Sequence, residues 1–186
     1  GVRLGIAQAG IKCEGRDDLT LIEIADGSST AAVFTLNAFR AAPVVVAARN
    51  NASQDARYIL INSGNANAGT GKPGMDACEA SCAAVGHLTG DTPDCVLPFS
   101  TGVIGELLPV EKIETALPEA IADLSQANWM RAAQAIMTTD TRPKLRAKTV
   151  EVNGQSCRLV GMSKGSGMIQ PNMATVLGFM ATDAAI

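Results

Sequence analysis

Hydroxyl groups that could act as nucleophiles are plentiful in this chain, while imidazole bases are scarce. The only histidine is His87, so any Ser-His-Asp or Cys-His relay within the chain would have to be built on it. It falls near the end of an apolar-striped segment, beside Gly86 and Gly90, where a histidine is more often a structural helix-terminal group. A different chemistry is available at Gly161-Met162-Ser163-Lys164-Gly165-Ser166-Gly167-Met168-Ile169-Gln170-Pro171-Asn172-Met173-Ala174-Thr175. Glycines, an isolated lysine and a proline there precede a threonine that opens an apolar run. One reading is a glycine-rich loop entering a core strand. The other is a threonine whose own α-amino group becomes its base. Such an amine has an ordinary pKa of about 7.7–8.0 and accepts a proton near neutrality. It exists only if the Ala174–Thr175 bond is cut, and it needs oxyanion donors nearby. Spacing alone leaves both readings open.

Other signals are weaker. Gly69-Thr70-Gly71-Lys72-Pro73-Gly74 satisfies G-x-G-x-x-G literally, but Pro73 stands where a helix should open under a pyrophosphate, so a surface loop is the better reading. Of the five cysteines, Cys78 and Cys82 share an apolar stripe with Met75 and Val85. No second ligand pair completes a tetrahedral metal site, and buried core thiols are expected. The odd count does not suit a secreted disulfide framework. A net charge of −3, with Arg3, Lys12, Arg16, Arg40 and Arg49 scattered, gives no basic patch for nucleic acid. No run approaches the roughly 18 apolar residues of a membrane span, and Gly1–Gly10 lacks a signal-peptide pattern. A soluble, cytoplasmic protein is expected.

The elements that must position these groups are short. Leu19–Ala25, Ala31–Thr35, Pro43–Ala48, Tyr58–Asn62 and Cys95–Phe99 read as strands. A helix is predicted over about Met75–Leu88, with Asp76 and Glu79 in its first turn. Another starts at Val110, is interrupted by Pro118 and resumes through Leu124. A third covers Asn128–Met137. Asn153-Gly154, between Thr149–Val152 and Ser156–Val160, is a strong hairpin signal. Val176–Ala181 reads as a buried strand or the start of a buried helix. With aromatics at only 3%, aliphatic side chains must fill the core. The class is mixed α/β.

Gly165-Ser166-Gly167-Met168-Ile169-Gln170-Pro171-Asn172-Met173-Ala174-Thr175 resembles the autoprocessing segment of the ornithine acetyltransferase family, the glutamate N-acetyltransferases of arginine biosynthesis. Asn62-Ser63-Gly64-Asn65-Ala66-Asn67-Ala68, Ser100-Thr101-Gly102-Val103-Ile104-Gly105-Glu106 and Ala135-Ile136-Met137-Thr138-Thr139-Asp140-Thr141 match family blocks in the family's order. The resemblance implies an α/β/β/α sandwich of the self-processing, N-terminal-nucleophile type. It implies an α-chain region 1–174 and the start of a β-chain region at 175–186, cleavage between Ala174 and Thr175, and Thr175 as nucleophile. Thr101 and Gly102 correspond to the oxyanion hole, and Thr141, Lys164 and Thr175 to substrate-binding positions. The reaction implied moves an acetyl group from N-acetylornithine to glutamate through an acetyl-threonine ester, without cofactor or metal. Acetyl-CoA-dependent synthesis of N-acetylglutamate is a second activity it leaves open. Implied partners are the β chain of the same precursor, in an α2β2 assembly. The rival readings are a related self-processing amidohydrolase or aminopeptidase, and a non-catalytic binding fragment.

Overall fold

The computed structural model describes residues 1–166, 173 and 175–184. Strands β1 (Val2–Ala7), β2 (Leu19–Ile24), β3 (Tyr58–Asn65) and β4 (Val96–Val103) form one sheet in that spatial order. The first three are antiparallel, and β3 and β4 are parallel. Alternation along these strands divides the core. Ala7, Leu19, Leu21, Leu60 and Val96 face helices α1 (Ala42–Ser53), α2 (Gly71–Thr89) and α3 (Val110–Ala122). Leu4, Ile6, Ile22 and Ile61 face the opposite way. They meet α4 (Trp129–Ala135) and Met162 of a second, antiparallel sheet of β5 (Lys144–Val152), β6 (Gln155–Lys164) and β7 (Leu177–Thr182). The described residues thus stack helices on a sheet on a second sheet, three of the four layers of the α/β/β/α sandwich that the resemblance implied, and the class is the mixed α/β expected.

Several elements differ from expectation, each for a physical reason. Pro43–Ala48 is not a strand but the beginning of α1. Pro43 sits in the first turn, where its missing N–H costs nothing. Val46, Ala47 and Asn50 then form a buried helical face. Asn50 Nδ2 secures that face by donating to the Val96 carbonyl at 2.8 Å. Ala31–Thr35 pairs with no strand among the described residues, and Val33 is exposed.

Helix α2 begins at Gly71, so four of the six residues of Gly69–Gly74 are helical rather than surface loop. Asp76 therefore lies in the second turn, paired with Lys72 at 2.7 Å. Helix α3 runs through Pro118 unbroken. Pro118 and Glu114, whose carbonyl loses its usual partner, both lie on the exposed side, where water satisfies that carbonyl. Helix α4 is shorter at both ends than predicted.

The Asn153-Gly154 hairpin forms with both residues at positive φ, 52° and 78°, the geometry of a type I′ turn. Strand β7 alternates half-buried and exposed residues instead of being fully buried. Strand β1 was not anticipated. Its Gly5 has no room for a side chain, since a Cβ would lie 1.8 Å from the Ala120 carbonyl oxygen of α3. Cys78 and Cys82 pack in the helix-side core. A hydrogen bond with Cys82, then burial, pushes the Cys78 thiol well above its ordinary pKa, leaving it unreactive. Among the described residues no helix is long and apolar enough to cross a membrane, and no cluster of His, Cys, Asp or Glu could hold a metal ion.

Candidate active site

The parallel pair β3–β4 ends in the two segments that build the site's floor. Ser63 pairs with Thr101 and Gly64 with Gly102, after which a bulge at Asn65 shifts the register. Bulges re-aim the chain at the ends of strands, and here the two glycine backbones are pressed together. Gly102 has φ +139°, and a Cβ on it would lie 2.3 Å from the Gly64 carbonyl carbon. Only glycine can occupy the position.

The asparagines of the block after Ile61 hold this floor in place. Asn62 donates to the Asn65 carbonyl at 2.8 Å and accepts from Ser100 Oγ at 2.6 Å. Asn65 donates to the carbonyls of Glu106 and Leu107, and Asn67 to that of Gly74. Ser63 Oγ reaches the Ala135 carbonyl at 2.7 Å, tying the floor to α4.

Above it lies a cavity of about 460 Å³, whose wall includes Thr101, Gly102, Lys164 and Thr175. That volume suits a small-molecule ligand. The structure therefore brings together four of the residues singled out from sequence. Thr175 is exposed, just outside the pair Lys164↔Leu177 that closes β6 against β7. Ala174 lies outside the described residues. Thr141 is exposed and does not line the cavity; nor does His87, which is exposed in the last turn of α2.

Lys164 is neither a loop residue nor solvated. It ends β6, with only 6% of its surface exposed. Its ammonium donates to Thr101 Oγ1 at 2.9 Å and to Thr138 Oγ1 at 2.8 Å. An ammonium can only donate, so both hydroxyl oxygens must act as acceptors there. The Thr101 hydroxyl proton is thereby turned away from Lys164 and left available to the cavity. Burial lowers the Lys164 pKa from the ordinary lysine value. Asp140 opposes that shift, while Lys144 adds to it. Asp140 is itself buried, which disfavours its charge, but the Lys144 ammonium and the backbone N–H groups of Gly165 and Thr138 outweigh burial and hold its pKa below the ordinary carboxylate value.

Sequence reasoning missed three contributors. Lys12 and Arg16, scattered in sequence, join Lys164 in the cavity wall. Arg16 also donates to the Met137 carbonyl. Asp18, the carboxylate in that wall, is occupied by the N–H groups of Ala9 and Ile11, each at 2.7 Å, and so pins the loop carrying Lys12 and Arg16. No local pattern announced this cluster. It is made by folding the β1–β2 connection over the ends of β3 and β4. The outcome is a cavity with hydroxyls, a glycine turn and an excess of positive groups, matched to a carboxylate-bearing molecule.

The ArgJ family model matches residues 3–186. The Arginine biosynthesis bifunctional protein ArgJ of Methylococcus capsulatus is 58% identical over the whole chain, which covers 45% of that protein. Its counterpart in Pseudomonas syringae pv. tomato is 55% identical, with 46% of its length covered. The chain thus spans somewhat under half the length of these relatives. Among solved structures, the ArgJ protein of Bacillus halodurans superposes with a TM-score of 0.77 at 34% identity, covering 97% of this chain and 91% of that one. Ornithine acetyltransferase of Mycobacterium tuberculosis, solved in complex with ornithine, gives 0.75 at 30% identity, covering 95% and 93%. On the strength of a family match running almost end to end, the chain belongs to the ArgJ family.

Proposed function

We propose that Thr175 is the latent nucleophile of a self-cleaving acetyltransferase acting on N-acetylornithine and glutamate. The observation that carries this reading is the cavity shared by Thr175, Gly102 and the Thr101–Lys164 hydrogen-bonded pair. In the first step the Thr175 hydroxyl attacks the Ala174 carbonyl. The peptide C–N bond breaks, the amine of Thr175 is freed, and water hydrolyses the resulting ester. The free amine then takes the proton of the same hydroxyl as it attacks the acetyl carbonyl of N-acetylornithine, and the proton passes to the departing ornithine nitrogen. Glutamate's amine attacks the acetyl ester, giving N-acetylglutamate and restoring the threonine.

Each tetrahedral intermediate carries an oxyanion, and each requires donors at about 2.7–3.1 Å. The outward-turned Thr101 hydroxyl and the Gly102 backbone N–H are assigned that task. Lys164 orients Thr101 and, with Lys12 and Arg16, supplies the positive field for substrate carboxylates. Transfer through one covalent intermediate predicts ping-pong kinetics.

The test is intact mass of the full-length gene product, followed by incubation with N-acetylornithine and glutamate. A new N-terminus at Thr175 and coupled formation of ornithine and N-acetylglutamate are expected. Ornithine appearing without N-acetylglutamate would instead mark an amidohydrolase. Native mass would test the α2β2 assembly, and replacing N-acetylornithine by acetyl-CoA would test the second donor.

A further inference from the structure

Gly165 is the residue at which the chain leaves β6 toward Thr175, and both of its backbone groups are held. Its N–H donates to Asp140 Oδ1 at 2.9 Å, and its carbonyl accepts from Lys144 Nζ at 3.0 Å. The two holders are themselves paired at 2.5 Å. The Asp140 side chain is 1% exposed, while that of Lys144 is 44% exposed. Across the base of the same connection, Val176 stands against Gly165: a Cβ built there would meet Val176 Cγ2 at 3.3 Å. The pair Lys164↔Leu177 closes the base immediately below. Whatever fixes Gly165 therefore bears on Val176, and Val176 is bonded directly to Thr175.

Neither Asp140 nor Lys144 lines the cavity, so neither is placed to touch the reacting atoms. Asp140 also accepts from the Thr138 N–H at 3.4 Å, and the Thr138 hydroxyl receives Lys164. One buried carboxylate thus connects the base of the Thr175 connection with the lysine that orients Thr101.

We propose that the Asp140–Lys144 pair is a positioning clamp on Gly165, which presents Thr175 to the Thr101–Lys164 pair for self-cleavage. The clamp rests on the cleavage reading given above. Hydrogen bonds to ionised partners are stronger than neutral ones, and a displacement of about 1 Å at a reacting centre costs on the order of a hundredfold in rate.

Lys144→Met removes the hold on the Gly165 carbonyl from a half-exposed side chain, so the fold should tolerate it. Lys144→Arg retains a cationic donor. Asp140→Asn keeps an acceptor for Gly165 but loses the charge. Each is expressed within the full-length gene product, and the appearance of the fragment beginning at Thr175 is followed by mass spectrometry beside a thermal melt. Lys144→Met should slow cleavage by about tenfold or more with its melting temperature close to wild type. Lys144→Arg should recover most of the rate, and Asp140→Asn should also slow cleavage. Wild-type cleavage kinetics in Lys144→Met overturn the clamp, as does slowing matched by a fall in melting temperature and not rescued by arginine. A wild-type chain that never cleaves at Thr175 overturns the proposed function, and the clamp with it, whereas a cleaving wild type with an equally fast Lys144→Met sinks the clamp alone.

Discussion

Lys164→Met separates two roles that a buried lysine could have. In the wild type, its ammonium makes hydrogen bonds of 2.9 and 2.8 Å to the hydroxyls of Thr101 and Thr138. Bonds to a charged group contribute about 1.5–3 kcal/mol each. Against this stands the desolvation of a nearly enclosed charge, which lowers the Lys164 pKa. Burying an ion pair is often no better for stability than packing an apolar residue of similar size. Methionine nearly matches the stem of lysine, and Thr101 and Thr138 both border the cavity, where water can satisfy the freed hydroxyls. The stability change should therefore be small, within about 2 kcal/mol.

Catalysis should respond differently. Without an obligate donor behind it, the Thr101 hydroxyl is free to rotate, and its proton is no longer held toward the proposed oxyanion. Loss of one such donor costs about 10²–10³ in rate, or roughly 2.7–4 kcal/mol. The assay compares the first-order rate of cleavage at Thr175, kcat and KM of acetyl transfer, and the urea midpoint. Cleavage and kcat should both fall about a hundredfold or more while the midpoint moves little. Were Lys164 only a carboxylate anchor, Lys164→Met would raise KM and cleave at the wild-type rate. That result would refute the orientation of Thr101 by Lys164.

Other expectations follow from the same geometry. Gly102→Ala places a Cβ 2.3 Å from the Gly64 carbonyl carbon at φ +139°. A conformation this unsuited to alanine costs about 1–3 kcal/mol before the clash is counted, so a lower melting temperature and loss of self-cleavage are expected. On the alkaline side, Lys164 should lose its proton at lower pH than an ordinary lysine, because burial disfavours the ammonium. Its folded pKa lies below its unfolded one. Its titration therefore adds stability as pH rises from the folded toward the unfolded value, and activity should fall there without unfolding caused by this group. A pH–rate profile recorded beside a denaturation midpoint checks this, and coincident losses would count against it. Cys13 is exposed in the cavity wall, while the other four cysteines are buried. N-ethylmaleimide should label Cys13 first in the native protein, and peptide mapping showing Cys78 or Cys82 modified at the same rate would contradict the packing. Leu117→Ala, in the core between α3 and the first sheet, should cost about 2–5 kcal/mol in stability. It should leave the KM of the cleaved enzyme unchanged.

The sequence was most informative where chemistry imposes rare local patterns. Asn153-Gly154 announced its hairpin because few residues accept positive φ at both positions. The four-block resemblance picked out Thr101, Gly102 and Lys164, which the fold gathers on one cavity. Local reading failed where burial, not propensity, decides the outcome. Three consecutive valines made Pro43–Ala48 look like a strand, but Pro43 and the facing surface of β4 select a helix. Pro118 looked like a break, yet it falls on the solvent side of α3, where a missing hydrogen bond matters least. Lys164 looked like a loop lysine because its immediate neighbours are small and uncharged. Its partners Thr101 and Thr138 are distant in sequence, and only the packing of the two sheets reveals them. Lys12 and Arg16 were hidden for the same reason.

That dependence on packing explains why a charged residue is tolerated at so enclosed a point. Thr101 and Gly102 belong to the first sheet, while Lys164 ends β6 of the second and Thr175 lies two residues before β7. Apolar contacts such as the edge-to-face pair Phe99–Phe179, with ring centroids 5.0 Å apart, can bring the sheets together. Apolar packing alone discriminates weakly between small slips in their relative position. A buried ammonium does discriminate, because a slip that parts Lys164 from Thr101 and Thr138 leaves a charge without partners. On this reasoning Lys164 adds little to the depth of the folded minimum and much to its sharpness. The consequence can be measured in the Lys164→Met protein. Its overall stability should change little, while amide exchange at the ends of β4 and β6 should accelerate relative to the centre of the first sheet.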